Sequence, residues 1–220
     1  MDFHKALQFL IDLQCNNHRN WFQENKERYQ QSHDEFLDFV TRIIEQIASF
    51  DAGIQGVQAK DCVYRIYRDV RFSKNKEPYK THFGANIAQG GKNAVRSGYY
   101  LHLQPDASFI GGGVYAPDSA TLLALRKHIF HHPDEFQNIL SKPQFSKLFP
   151  SLWGDKLKSA PKGFPKDCQA IELLKYKHYI VTTELENDFW TTGDPIRKAV
   201  GIFRIQYEFN SFLDEVFDDF

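Results

Sequence analysis

Residues 97–115 read "SGYYLHLQPDASFIGGGVY", and this stretch decides how the chain is understood. Apolar and polar side chains alternate up to Leu103 and again from Phe109, the period of a strand with one buried face. Between the two runs, "QPDAS" supplies Pro105 and Asp106. One has a fixed φ and the other a side chain that hydrogen-bonds its own backbone, and both favour a turn. The pattern predicts a hairpin with strands over 97–104 and 108–115. In its first arm Leu101 and Leu103 face a core, while Tyr100, His102 and Gln104 share the other side. Glycine costs entropy inside a strand, so Gly111, Gly112 and Gly113 mark a bulge, a bend covered by a neighbouring aromatic, or a close approach of ligand to bare backbone. The pattern is not that of a phosphate loop, which needs a lysine or a helix start after its glycines.

Upstream of the hairpin, aromatic and β-branched residues with period two predict strands over 63–72 and 83–89, making 63–115 the sheet segment. Residues 1–50 are helical. Phe36, Phe39, Val40, Ile43, Ile44 and Ile47 recur as the stripe of an amphipathic helix, and a shorter helix through Phe3, Leu7, Leu10 and Ile11 breaks at Asn16 and Asn17. Residues 118–220 are mostly helical. Asp118 or Ser119 caps one helix, Pro133 opens another, and Asp194 followed by Pro195 opens the last. The prolines of 141–167 predict a long irregular stretch, and Tyr179–Leu185 reads as a further strand. Helices, then strands, then helices imply an α+β fold: one domain over 1–220, with a central antiparallel sheet from the middle of the chain flanked by N-terminal and C-terminal helices.

The net charge is -1, which argues against general attraction to nucleic acid or acidic membrane. No stretch approaches the ~20 apolar residues of a membrane span, and the N-terminus is unlike a secretory signal. Three widely spaced cysteines suggest neither a disulfide framework nor a zinc site. A cytoplasmic location is expected.

The charge is unevenly placed. Residues 60–82 hold seven basic and three acidic residues, whereas the tail from Glu208 to Phe220 holds five acids and no base, so the two segments could attract each other. On a strand over 63–72, Tyr64, Ile66, Val70 and Phe72 would form one face and Arg65, Tyr67, Asp69 and Arg71 the other. Arg68 then falls on the buried side, where a guanidinium must be paired. Asp69 is placed to brace Arg71. Lys74, Lys76 and Lys80 follow in a loop, and His82 joins the polar side. Forked guanidinium donors and a lysine suit phosphate or carboxylate. The expected ligand-binding residues are Arg65, Tyr67, Arg68, Arg71, Lys74, Lys80 and His82, with Tyr100 and His102 nearby.

His128, His131 and His132 have helical spacing for a shared metal, but H-E-x-x-H is absent and Pro133 intervenes, so no metal and no cofactor are expected. "KYKHY" at 175–179 is a second basic and aromatic cluster, able to extend the anion surface or to flank a helix end. Covalent catalysis has no supporting motif, and no acid or base is singled out.

The blocks "YRIYRDVRFSKNKEPYKTHFGA" (64–85) and "SGYYLHLQPDASFIGGGVYAPDSATLLALR" (97–126) closely resemble the domain of unknown function 2461 family of bacteria. "NNHRNWFQENKERY" (16–29) and "PKGFPKDCQAIELLKYKHY" (161–179) extend the likeness to nearly the whole chain. The resemblance implies an uncharacterised protein, with no established substrate, cofactor or catalytic residue. It also implies a glutamate after "YYLHL", where this chain has Gln104, which speaks against a catalytic carboxylate there.

The leading expectation is a phosphate- or carboxylate-bearing small molecule bound on a basic sheet surface, with enzymatic activity undecided. The alternatives are a protein-interaction or scaffold domain whose cluster meets an acidic partner or the chain's own tail, and single-stranded nucleic-acid binding, which the neutral net charge weakens.

Overall fold

The computed structural model describes residues 1–217. The chain begins with three helices: α1 (Phe3–Cys15), α2 (Arg19–Glu24) and α3 (Lys26–Ile47). Asp2 caps α1 by accepting the Lys5 N–H, which satisfies one of the free amides of the first turn. The stripe from Phe36 to Ile47 is buried along α3, as its spacing requires. A short helix α4 (Ala59–Cys62) leads to β1 (Phe83–Ile87), β2 (Gly98–Leu103) and β3 (Ser108–Val114). Then follow α5 (Ser119–His131), α6 (Pro133–Ser141), α7 (Pro143–Leu148), α8 (Ile171–Leu174), β4 (Tyr179–Leu185), α9 (Asp188–Thr191) and α10 (Pro195–Asp214). Asp118 caps α5 through the Thr121 N–H, and Asp194 caps α10 through the Arg197 N–H.

The four strands form one antiparallel sheet in the order β1-β2-β3-β4, so the middle of the chain supplies three strands and β4 the fourth. The fold is α+β. The hairpin turn closes as its residues dictate: Ser108 Oγ accepts the Gln104 N–H and donates to the Gln104 carbonyl, at 3.0 and 2.7 Å, while Asp106 takes a left-handed φ of 59°.

One sheet face is covered by helices. Phe83 meets Phe9, Tyr29 and Phe36 from α1 and α3, and Tyr99 meets Phe203 of α10 at 5.2 Å. Helix α10 crosses β2 and β3 closely enough that Gln206 and Asn210 both donate to the Gly98 carbonyl. This approach explains the glycine run. A Cβ on Gly112 would sit 1.9 Å from the Gly98 oxygen, and one on Gly113 would sit 2.2 Å from the Tyr179 oxygen and 2.9 Å from the Phe209 ring. The bare backbone there accommodates neighbouring strands and α10.

The stretch 63–72 is not a regular strand. It touches its neighbours through single bridges, Val63 with Ala85 and Tyr67 with Tyr79, and beyond Tyr67 the alternation fails: Ile66 is buried but Phe72 is 95 % exposed. Within 141–167, Ser141 ends α6, Pro143–Leu148 form α7, and the rest is irregular apart from single bridges at Trp153 and Lys156. Among the described residues no helix is long and apolar enough to cross a membrane.

Candidate functional site

The register aligns the side chains of the face opposite the helices. Asn86, Tyr100, Gly111 and Thr182 form one row across the sheet, and Gly84, His102, Phe109 and Glu184 the next. The segment before β1 then adds residues to its edge. Lys80 N–H donates to the Ile66 carbonyl at 2.7 Å, and Tyr64 N–H donates to the Gly84 carbonyl at 2.9 Å. Between these bonds one side advances from 66 to 64 and the other from 80 to 84, so the second side carries extra residues and bulges around His82. A bulge interrupts the ladder and re-aims side chains. It is also the reason that 63–72 does not continue as a strand.

The bulge brings His82 over β2, where its ring lies 4.1 Å from that of His102, centroid to centroid. On its other side His102 stacks on Phe109 at 4.5 Å and 17°. His102 Nδ1 is 3.1 Å from the Tyr100 hydroxyl, and Nε2 is 2.8 Å from Gln104 Oε1. With the Gln104 oxygen assigned toward the ring, Nε2 carries the imidazole proton and Nδ1 accepts from Tyr100. Gly84 makes room for this arrangement, since a Cβ there would stand 2.9 Å from the Tyr100 hydroxyl oxygen. Tyr64 meets the Tyr100 ring edge-on at 6.4 Å, and the Lys80 ammonium lies 5.0 Å from the centre of the Tyr64 ring.

The electrostatics follow from burial and from the company of cations. Burial lowers the pKa of Lys80, and the nearby Arg65 charge lowers it further. His82 is pushed down to about 3, first by burial and then by His102 and Lys80. Burial also lowers His102, against the opposing effect of its bond to Gln104. Both imidazoles are therefore neutral at pH 7. Burial raises the Tyr100 hydroxyl, which keeps its proton.

The sequence-predicted site residues divide into two groups. Lys80, His82, Tyr100 and His102 come together, with Arg65 close enough to Lys80 to affect its charge. The others lie apart or are occupied. Arg71 is held by Asp69 in the forked pairing expected of it, at 2.7 and 3.0 Å. Arg68 bonds the Glu77 carbonyl and lies 3.7 Å from its carboxylate. Tyr67 packs on Phe22 and Tyr79. Lys74 is exposed and makes no ion pair among the described residues. Three residues that sequence reasoning left out of the site belong to it: Tyr64, Gln104 and Phe109. Gln104 and Phe109 share the His102 face by alternation alone, whereas alternation places Tyr64 on the apolar side of a strand that does not form.

Among the described residues, the acidic tail does not reach this cluster. Glu208 pairs with Lys142, Asp214 accepts the Ser97 N–H and faces Arg96, and Glu215 lies 3.3 Å from His128. Asp218 and Asp219 fall outside the described residues. The attraction expected between the two segments is thus replaced, for the residues described, by contacts with other bases. Among the described residues no group of histidines, cysteines and acids could hold a metal ion. Two hollows lie elsewhere, one between α1 and α3 and the other beside Trp190 and the start of α10.

A family model described as "Conserved hypothetical protein (DUF2461)" matches residues 5–212. The chain belongs to the DUF2461 family. The match spans the bulge, the four strands and nearly all of α10, so the whole cluster lies within the DUF2461 region of this chain. No curated protein and no solved structure matches.

Proposed function

We propose that this DUF2461 protein binds a small molecule bearing a phosphate or carboxylate group on the open sheet face, between Arg65 and Lys80 and beside the His82–His102–Tyr100 cluster. One observation carries the reading. Arg65 and Lys80 have no carboxylate within ion-pair distance among the described residues, whereas Arg68 and Arg71 a few residues away each have one; Asp69, which holds Arg71, feels the Arg65 charge only from beyond that distance. The Arg65 charge is near enough to disfavour the charged form of the half-buried Lys80, and an anionic ligand would supply the counter-charge that Lys80 lacks among the described residues. The aromatic and imidazole rings around them offer a flat surface for the rest of such a molecule.

The test is a thermal-shift series with inorganic phosphate and simple carboxylates. A ligand that binds only the folded state raises the melting temperature, by about 2.7 kcal/mol of stabilisation at a hundredfold excess over Kd. The rise is expected in the parent protein and in Arg71→Ala, and should vanish in Arg65→Ala and in Lys80→Met. An equal rise in all four proteins would place the anion elsewhere.

A further inference from the structure

We infer that Lys80 is a nucleophilic amine that forms an imine with an aldehyde or ketone carrying an anionic group. The inference rests on the anion-binding reading and names the class of molecule that site would take.

The argument begins with how Lys80 is held. Its backbone N–H is fixed to the Ile66 carbonyl, and its side chain lies against the Tyr64 ring. The surroundings differ from those of the other half-buried lysines. Lys175 faces the Glu172 carboxylate, and Lys92 and Lys198 donate to backbone carbonyls. Lys80 does neither among the described residues. Among the described residues the face of Tyr64 is what favours its charged form, and it is weaker than a carboxylate. Burial and the Arg65 charge work the other way. A lysine that is desolvated beside a second cation is the arrangement that frees an amine for attack on a carbonyl.

The chemistry balances without a further reagent. The Nζ lone pair attacks the carbonyl carbon while the C=O π pair moves to oxygen. A proton passes from nitrogen to that oxygen and gives a carbinolamine. A second proton, supplied by solvent at this open face, lets the oxygen leave as water while the nitrogen lone pair forms the C=N bond. Arg65 would hold the anionic group of the same molecule, and the neutral imidazoles leave Lys80 without an internal acid to reprotonate it.

Pyridoxal 5′-phosphate, an aldehyde bearing a phosphate, is a suitable probe of the full chain, with borohydride fixing the adduct and peptide mass spectrometry locating it. Lys80 should be labelled several-fold faster than the exposed Lys74, since a lowered pKa raises its free-amine fraction at a given pH. Inorganic phosphate and Arg65→Ala should both slow it. Lys80→Arg keeps the charge, so it should lose the fast labelling and retain the thermal shift with phosphate. If Lys80 reacts no faster than Lys74 while phosphate still raises the melting temperature, the nucleophile is refuted and the anion site stands. Fast labelling that phosphate does not slow overturns the inference as stated, because the anionic group would then play no part.

Discussion

The imidazoles of His82 and His102 lie 4.1 Å apart with 32° between their planes, two histidines from different parts of the chain sharing one aromatic stack. Neither has a carboxylate to favour its charged form among the described residues. Burial disfavours the charged form of both rings.

Acid should therefore unfold the protein through this pair. Folded His82 resists protonation down to about pH 3, whereas in the unfolded chain it takes a proton near its ordinary value of 6.5. Its contribution is complete above pH 6.5 and is lost as pH falls toward 3, by up to roughly 1.4 kcal/mol per unit. Urea unfolding of the parent and of His82→Gln at pH 7, 5 and 4 checks this. The variant should have the flatter profile, and parallel profiles would contradict the assignment.

Asp214 should act in the opposite direction. Burial raises its carboxyl to about 6, against the lowering effects of the Ser97 N–H and Arg96. The folded state then binds the extra proton, so this stability is present below about pH 4 and is lost as pH rises through 6. Asp214→Asn keeps an acceptor for Ser97 and should stabilise the protein at pH 7 by about 2 kcal/mol relative to pH 4. Denaturant midpoints at the two values measure it.

Two glycines should respond with opposite signs. Gly201 lies within α10 with open space where a Cβ would go, so Gly201→Ala should stabilise by about 0.5–1 kcal/mol. Gly113 has a φ of 110° and backbone within 2.2 Å of its would-be Cβ, so Gly113→Ala should cost upwards of about 3 kcal/mol or prevent folding. Melting temperatures of the two variants decide it.

Asn17 bonds the backbone of Tyr79 twice, its amide donating to the carbonyl at 3.0 Å and its oxygen accepting the N–H at 3.1 Å. It acts as a strand partner for the residue next to Lys80. Asn17→Ala should cost about 1–3 kcal/mol and weaken phosphate binding, since it frees the start of the bulge. Unchanged binding with lowered stability would show that the bulge is held in other ways.

The parts of this fold that could be read from sequence are those fixed by local rules. The hairpin of 97–115 follows from period two and a turn of Pro105 and Asp106, and α5 and α10 start where Asp118 and Asp194 can cap them. The stretch 63–72 misleads because its alternation is genuine for a few residues, while the interruption arises on its partner at His82, about fifteen residues away. Charge counting finds the basic segment but cannot say which bases are already paired. Asp69 occupying Arg71 is a neighbour effect visible in sequence, whereas the influence of Arg65 on Lys80 depends on the chain folding back. The tail of acids likewise carries no address, and its described residues meet Lys142, Arg96 and His128 because α10 lies on the far face of the sheet.

The most direct test observes the imidazoles themselves. In a ring-selective 1H–15N NMR titration with phosphate, His82 and His102 should shift in parallel with saturation, while the exposed His4 stays in place and Lys80→Met abolishes the change. Rings of His82 and His102 that do not move while the anion binds elsewhere, or move no more than His4, would contradict an anion site on this face.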